Sequence, residues 1–372
     1  MARLRTALAL TGTAAAIVAG AAVASGIGRG GDTPSTSPAT SPASTPPRTT
    51  GTAPPTATGD LSLPVGDPRR LPFPAPGELR GVLLTGSGIC EPGLVDLADP
   101  HPPGQLALGA PACAVSVSPS ARFLATSTRF EPEGQPIVVL DTSTGSARTA
   151  RRVGSGIGRG PAVVSDRGAV ATCEFAGTVI DTPRATRHLK GSGCGRIALG
   201  GRILALRSDR RTLVDATTGR RVIRLAQRVR GELPVLVTSR TGRLIAAFAF
   251  DPSAAFTFVT VYDRAGRVVT PRRQLTNGFR VRDAQLADDG RALALRSDAG
   301  WELFNLGAGD RLRQIGQAPI TSATVAPDGR RFAVATARAI VFVDVDTLAP
   351  RLAIPAQVRG VWWLERSPTA AR

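Results

Sequence analysis

Residues 325–350 read VAPDGRRFAVATARAIVFVDVDTLAP. A short apolar run leads into the turn Pro327-Asp328-Gly329. Two segments that alternate apolar and polar positions follow, and a second turn closes the stretch at Asp346-Thr347-Leu348-Ala349-Pro350. Successive side chains on a strand point to opposite faces, so alternation over four to eight residues predicts strands with one face more deeply buried. Asp and Gly suit the intervening turns, Asp by hydrogen-bonding the backbone ahead of it and Gly by tolerating positive φ.

The unit recurs along the chain. Its opening turn has counterparts at Ser118-Pro119-Ser120, Asp166-Arg167-Gly168, Gly200-Gly201-Arg202, Ser239-Arg240-Thr241-Gly242 and Asp288-Asp289-Gly290, each ahead of an apolar segment such as ARFLATS or RLIAAFAF. Its closing turn has counterparts at Asp141, Asp181, Asp215 and Asp263, and Asp96 and Asn305 follow the same alternation. With Asp346 these seven positions recur at a mean spacing of about 42 residues. A β-patterned period of that size predicts propeller blades of four strands each. The fold class is therefore all-β, a seven-bladed β-propeller over residues 78–366 with a short tail at 367–372.

Closure of the ring is also written in the pattern. The first unit (LRGVLLTG, PGLVDLAD, GQLAL) supplies three strands, and after the seventh unit one isolated apolar segment remains, Val358 to Glu365. That segment is expected to be the innermost strand of the first blade, zipping the two ends of the domain together and protecting an open edge. Trp362 and Trp363 would then face opposite sides and seal both neighbouring blades. Two tandem β-sandwiches explain neither the period nor the leftover strand.

The segments APDGRR at 326–331 and ADDGRA at 287–292 resemble the WD-repeat-like propellers of the TolB type, whose blades carry a Pro-Asp-Gly-(Arg/Lys) turn ahead of an apolar strand. The resemblance covers most of residues 79–364 and implies a propeller fold and a binding role. The Trp-Asp and Gly-His signatures of eukaryotic WD repeats are absent, so the partners of that subfamily do not carry over.

Ahead of the repeats, Arg3 and Arg5 precede about 20 uncharged residues, the form of an export segment. Residues 1–28 read as a signal peptide, with a small-residue cleavage site at Ala22-Val23-Ala24, or as a single transmembrane anchor. No Cys precedes Cys90, and Arg3-Leu4-Arg5 is not a twin-Arg pair. Residues 29–77 are rich in Pro, Thr and Ser and poor in large apolar residues, a composition that cannot bury a core and predicts a disordered linker. The expected location is extracytoplasmic, anchored by the N-terminal helix or secreted.

Composition narrows the chemistry. The chain carries 46 Lys and Arg against 28 Asp and Glu, a net charge of +18, and only Lys190 is lysine. The first 78 residues hold six Arg and four acids, which leaves +16 on the propeller. Part of this excess clusters at Arg220, Arg221, Arg224, Arg228 and Arg230, and one blade later at Arg272, Arg273, Arg280 and Arg282. A candidate anion-binding patch of Arg220, Arg224, Arg228, Arg230, Arg272 and Arg273 follows, against a reading as solvated strand edges in an Arg-rich chain. Strict alternation would send Arg220 and Arg224 to one side and Arg221 to the other. Export and an aromatic content of 4% argue against nucleic acid. The expected partner is a protein or an anionic envelope polymer, bound by a monomer.

Four cysteines, Cys90, Cys113, Cys173 and Cys194, in an exported chain point to disulfides. Three pairings exist; equivalent blade positions favour Cys90 with Cys113 and Cys173 with Cys194, and no C-x-x-C spacing supports zinc. Catalytic signals are sparse. His101 lies in a loop and His188 near a strand end, neither beside a nucleophile motif, and no G-x-S-x-G elbow occurs. The G-x-G-x-x-G match at Gly26 to Gly31 follows the export segment instead of a strand, and turn chemistry accounts for Asp288 and Asp289. No cofactor or metal is expected. The reading is a non-catalytic binding or scaffold module; its rival is a propeller enzyme, a quinoprotein, hydrolase or lyase, which would need acids and a His converging at the ring axis.

Overall fold

The computed structural model describes residues 67–75, 78–86, 92–98, 104–105, 114–120, 122–127, 137–144, 146–150, 162–174, 177–190, 192–277 and 280–364. The segment at 1–28 and most of the linker lie outside the described residues. Within them, no helix is long and apolar enough to cross a membrane.

Seven four-stranded antiparallel sheets form the blades. Blades 2 to 7 follow one another along the chain. Their innermost strands are Ala114–Val117, Val163–Val164, Ser192–Leu199, Glu232–Thr238, Val281–Leu286 and Ser322–Val325. A two-stranded ladder, Gln314–Ile315 with Ala318–Pro319, joins blades 6 and 7. Each blade packs on the next through its own apolar cluster. Leu84 and Leu364 of blade 1 meet Leu124 and Leu140 of blade 2; Val164 and Val179 of blade 3 meet Ala125 and Val139 of blade 2; and so on through Ile203 against Ile180, Leu236 against Leu204, Leu293 against Phe248 and Phe332 against Leu303. The seventh cluster joins blade 7 back to blade 1, with Phe342 and Ile354 against Leu83 and Trp363. Burying each such side chain stabilises the fold by about 1.5–3 kcal/mol, and the ring distributes that gain over every interface.

Blade 1 is completed as its pattern predicts. Gly360–Leu364 pairs antiparallel with Val82–Gly86, setting Leu84 opposite Trp362 and Leu83 opposite Trp363. Trp363 lies edge-on to Phe342 of blade 7 at 5.7 Å between ring centroids, and its Nε1–H donates to the Arg80 carbonyl at 3.0 Å. Trp362 packs on the opposite side, in the cluster shared with blade 2. The chain passes this seam so closely that Gly81, at φ +101°, has no room for a side chain: a Cβ there would lie 2.6 Å from the Leu364 carbonyl oxygen.

The repeat shows in the hydrogen bonds. The opening turns close with Gly329 N–H to Ala326 O at 3.0 Å, Gly290 to Ala287 at 3.1 Å and Gly242 to Ser239 at 2.9 Å. At the closing turns a side-chain oxygen accepts backbone N–H groups: Asp141 from Ser143, Asp215 from Thr217 and Thr218, Asn305 from Gly307 and Ala308. In blade 7 this position belongs to Asp344, not Asp346. Asp344 accepts from Thr347 N–H at 2.9 Å and pairs with Arg331, as Asn305 pairs with Ala292. VDVD alternates, so either Asp suits the pattern and only strand register separates them. Asp346 is exposed and reaches back to Arg291 of blade 6 at 3.0 Å.

The described chain begins ahead of the first blade. Pro68–Arg70 forms a 3-10 turn capped by Asp67, Leu71 packs against the cluster between blades 6 and 7, and Ala353 N–H donates to the Pro72 carbonyl at 3.1 Å. Ala353 belongs to the outermost strand of blade 7, Pro350–Pro355. The incoming chain thus covers part of an exposed strand edge, a common protection against edge-to-edge association.

Candidate functional site at the ring axis and the arginine edge

A cavity of about 230 Å³ occupies the ring axis, lined by residues of the innermost strand of every blade. The axial side of an innermost strand has no ladder neighbour in its own sheet, so it presents backbone groups that require water or a ligand. Hydrogen bonds fix how neighbouring strands align. Ser239 bridges Leu286 in parallel, and Thr238 Oγ1–H donates to the Ala198 carbonyl at 3.0 Å. Counting back along the strands sets Arg196 of blade 4, Leu236 of blade 5 and Asp283 of blade 6 at one level. Next to it, Thr324 Oγ1–H donates to Gln285 Oε1 at 2.7 Å and accepts from Trp363 N–H at 3.1 Å.

The same level coincides with a local irregularity. The pairing of the innermost strands shifts register between Ser192 and Arg196 in blade 4, Glu232 and Val235 in blade 5, and Val281 and Asp283 in blade 6. Bulges re-aim side chains and are frequent beside binding sites. Two ionisable residues at this level, Arg196 and Asp283, are among those lining the cavity, as are Arg240 and Asp288. Arg196 is 4% exposed and its Nε–H donates to the Ala171 carbonyl at 3.2 Å; burial pulls its pKa down to about 10, so it stays a cation at neutral pH. Asp283 is reached from the cavity although protein surrounds it. Burial, opposed by the Ala284 N–H and the charge of Arg296, pushes its pKa up to about 6. Its one hydrogen bond among the described residues comes from Ala284 N–H to Oδ1 at 2.8 Å.

Neither Arg196 nor Asp283 stands out in the sequence read blade by blade. Aligning the blades on their opening turns does not bring them together either, because Gly200 set against Asp288 places Arg196 opposite Ala284.

The other sequence candidates fall elsewhere. His188 is exposed on the outermost strand of blade 3, Thr186–Lys190, away from the axis; His101 lies outside the described residues. Asp288 Oδ1 accepts from Thr241 N–H and Oγ1–H at 2.8 and 2.7 Å, and Asp289 pairs with Arg291 at 2.9 Å, so both are engaged in turn and inter-blade contacts. Among the described residues no three His, Cys, Asp or Glu side chains gather as a metal site would require. Cys90 and Cys113 lie outside the described residues; Cys173 falls on the second strand of blade 3 and Cys194 on the first strand of blade 4.

The arginine cluster divides in two. Arg220, Arg221, Arg224, Arg228 and Arg230 are all exposed along the outermost strand of blade 4, Arg221–Arg224, and the chain flanking it. Their guanidinium groups make no ion pair or hydrogen bond among the described residues. The ladder shifts register here, pairing Val214 with Arg221 but Leu213 with Ile223, so Val222 is an extra residue. This bulge breaks the strict alternation expected from the sequence: Arg221, Val222 and Arg224 are all exposed while Ile223 is buried. Arg272 and Arg273 do not extend the patch. Arg272 pairs with Asp251 at 2.9 Å and stacks over Phe258 at 3.6 Å, and Arg273 donates to the Leu306 carbonyl across the boundary between blades 5 and 6. Arg282 likewise pairs with Asp298.

The sheet order, the seven inter-blade clusters and the swapped closing strand define a seven-bladed β-propeller. The chain matches no family model and no curated protein. Among solved structures it is similar to the Swd1 β-propeller domain of Myceliophteria thermophila, at 14% identity over 69% of this chain and 90% of that one, with a TM-score of 0.44. It is similar also to TolB of Acinetobacter baumannii, at 16% identity over 79% of this chain and 67% of that one, with a TM-score of 0.43, and to the dihydro-heme d1 dehydrogenase NirN, at 13% identity over 79% and 77%, also with a TM-score of 0.43.

Proposed function

We propose that the protein is a non-catalytic, extracytoplasmic binding module that presents the outer edge of blade 4 to an anionic macromolecule, an acidic protein surface or an anionic envelope polymer. One observation carries this reading. Arg220, Arg221, Arg224, Arg228 and Arg230 are exposed together on one edge with no acid against them among the described residues, whereas several exposed arginines elsewhere are matched, as Arg267 is to Asp263 at 2.6 Å and Arg291 to Asp289 and Asp346. Unmatched arginines on one edge create a local positive potential and offer planar donors suited to carboxylate or phosphate. Among the described residues the axial cavity is lined by Arg196, Arg240, Asp283 and Asp288 and by no His, a set compatible with the binding reading. The export segment and linker support a tethered or secreted protein, and an oxidising compartment suits disulfides from Cys90 to Cys113 and from Cys173 to Cys194. Proximity labelling in the source cell, followed by pull-down at rising salt, tests the proposal. An acidic partner recovered at low salt and lost at moderate salt supports it; a partner held equally at all salt concentrations argues for an apolar interface elsewhere.

A further inference from the structure

Blade 4 is joined to its successor by different groups from those its neighbours use. In blades 2, 3 and 5 an arginine of the outermost strand ties that strand to the next blade. Arg148 reaches Asp181 Oδ2 and the Gly168 carbonyl of blade 3, each at 2.6 Å. Arg187 donates to the Thr217 carbonyl of blade 4 at 2.9 Å, and Arg273 donates to the Leu306 carbonyl of blade 6. Between blades 4 and 5 the chain itself makes the tie. Ala226 N–H donates to the Gly266 carbonyl at 2.7 Å, Tyr262 Oη–H donates to the Gln227 carbonyl at 3.3 Å, and a Cβ on Gly266 would collide with the Arg224 carbonyl oxygen. The arginines of this strand are thereby released from holding blade 5, and they project into solvent.

The same strand exposes an apolar side chain among them. The bulge that makes Val222 an extra residue turns it outward, 38% exposed, with Arg221 before it and Arg224 beyond. The four residues of the strand span about 13 Å, and Arg220 precedes it while Arg228 and Arg230 follow, so the cations run lengthwise along one edge. A bulged edge resists the addition of a further strand, which leaves recognition to the side chains.

From this arrangement, and resting on the reading of this edge as a binding surface, we infer that its occupant is an extended acidic peptide segment of a protein partner, carboxylates meeting the arginines and one apolar side chain between them lying on Val222. Planar guanidinium groups offer paired N–H donors that fit carboxylates. A polymer with anionic groups alone satisfies the arginines and leaves Val222 in water, whereas the peptide covers both.

The test measures binding to the full chain by fluorescence anisotropy at low salt with labelled probes: a peptide with one leucine flanked on both sides by glutamates, the same peptide with serine in place of leucine, and poly(glycerol phosphate) of equal charge. The leucine peptide is expected to bind about threefold more tightly than the serine peptide, the advantage of covering part of one valine side chain. Val222→Ser should erase that advantage and leave the serine peptide and the polymer unaffected, while the triple variant Arg220→Gln, Arg224→Gln, Arg228→Gln should weaken all three probes. The comparison of the two peptides on the wild-type protein decides the matter even where Val222→Ser does not fold. Equal binding of the two peptides, a leucine advantage that survives Val222→Ser, or tighter binding of the polymer than of the leucine peptide would overturn this inference and leave the anion-binding edge in place. No binding of any probe, or binding that the triple variant does not weaken, would overturn the reading of the edge and this inference with it.

Discussion

The seam between blades 7 and 1 and the outer edge of blade 4 use polar groups in opposite ways. At the seam the indole N–H of Trp363 is bonded to Arg80 O, Ser322 Oγ accepts from Val361 N–H, and Thr324 Oγ1 bonds on two sides. At the edge of blade 4 five guanidinium groups project without a partner among the described residues. The difference teaches where to look for function. Polar groups satisfied inside the fold hold it together, whereas those left open are available to something outside it.

Predictions that press on this contrast begin at the seam. Deleting residues 358–372 removes the innermost strand of blade 1 and exposes both of its apolar interfaces; the truncated protein should aggregate or melt at least 10 °C below the intact chain by circular dichroism. Equal melting would mean that the ring closes without this strand. Trp363→Ala should cost about 4 kcal/mol in denaturant unfolding, the range for emptying a large aromatic site. Between blades 2 and 3, Arg148 reaches the fully buried Asp181 at 2.6 Å. Asp181→Ala should cost about 3 kcal/mol, less than the tryptophan, because Arg148 stays partly solvated.

At the axis the sign reverses. Burial pushes the Asp283 carboxyl up to about 6 from its ordinary 3.8. The folded protein therefore keeps this proton to higher pH than the unfolded chain does. Its contribution to stability is full below pH 4, declines as pH rises through 6 and is flat above that. Asp283→Asn should thus stabilise the protein by about 2 kcal/mol at pH 7.5 and leave it unchanged near pH 4, measured by urea unfolding at both values. Stabilisation by the same amount at both would show that Asp283 does not titrate in this range.

How much of this was legible in the sequence depends on how local each cause is. The strand alternation, the turn at Pro327-Asp328-Gly329 and the unmatched segment ending at Leu364 are local signals, and blade count and ring closure follow from them. The slip from Asp344 to Asp346 shows the limit of a period-two pattern, which does not distinguish positions two apart. Arg272 and Arg273 looked equivalent to Arg220 and Arg224 along the chain, but their partners, Asp251, Phe258 and Leu306, lie on other strands or the next blade. The axial pair was the least visible. Arg196 and Asp283 stand 87 positions apart in sequence, and they share a level only through the alignment of neighbouring innermost strands fixed by Thr238 with Ala198 and Ser239 with Leu286.

The central claim is that the arginines at the edge of blade 4 serve a partner and not the fold. Its most direct test compares the wild-type protein with the triple variant Arg220→Gln, Arg224→Gln, Arg228→Gln for retention on isolated cell envelopes and on immobilised poly-L-glutamate, at about 20 mM and about 150 mM salt, where the screening length falls to about 8 Å. The account predicts strong wild-type retention at low salt that drops at the higher concentration, at least tenfold weaker retention of the variant, and melting temperatures within 1 °C of each other. Equal retention of the two proteins at both salt concentrations would contradict it and leave the charge of this edge without a binding role.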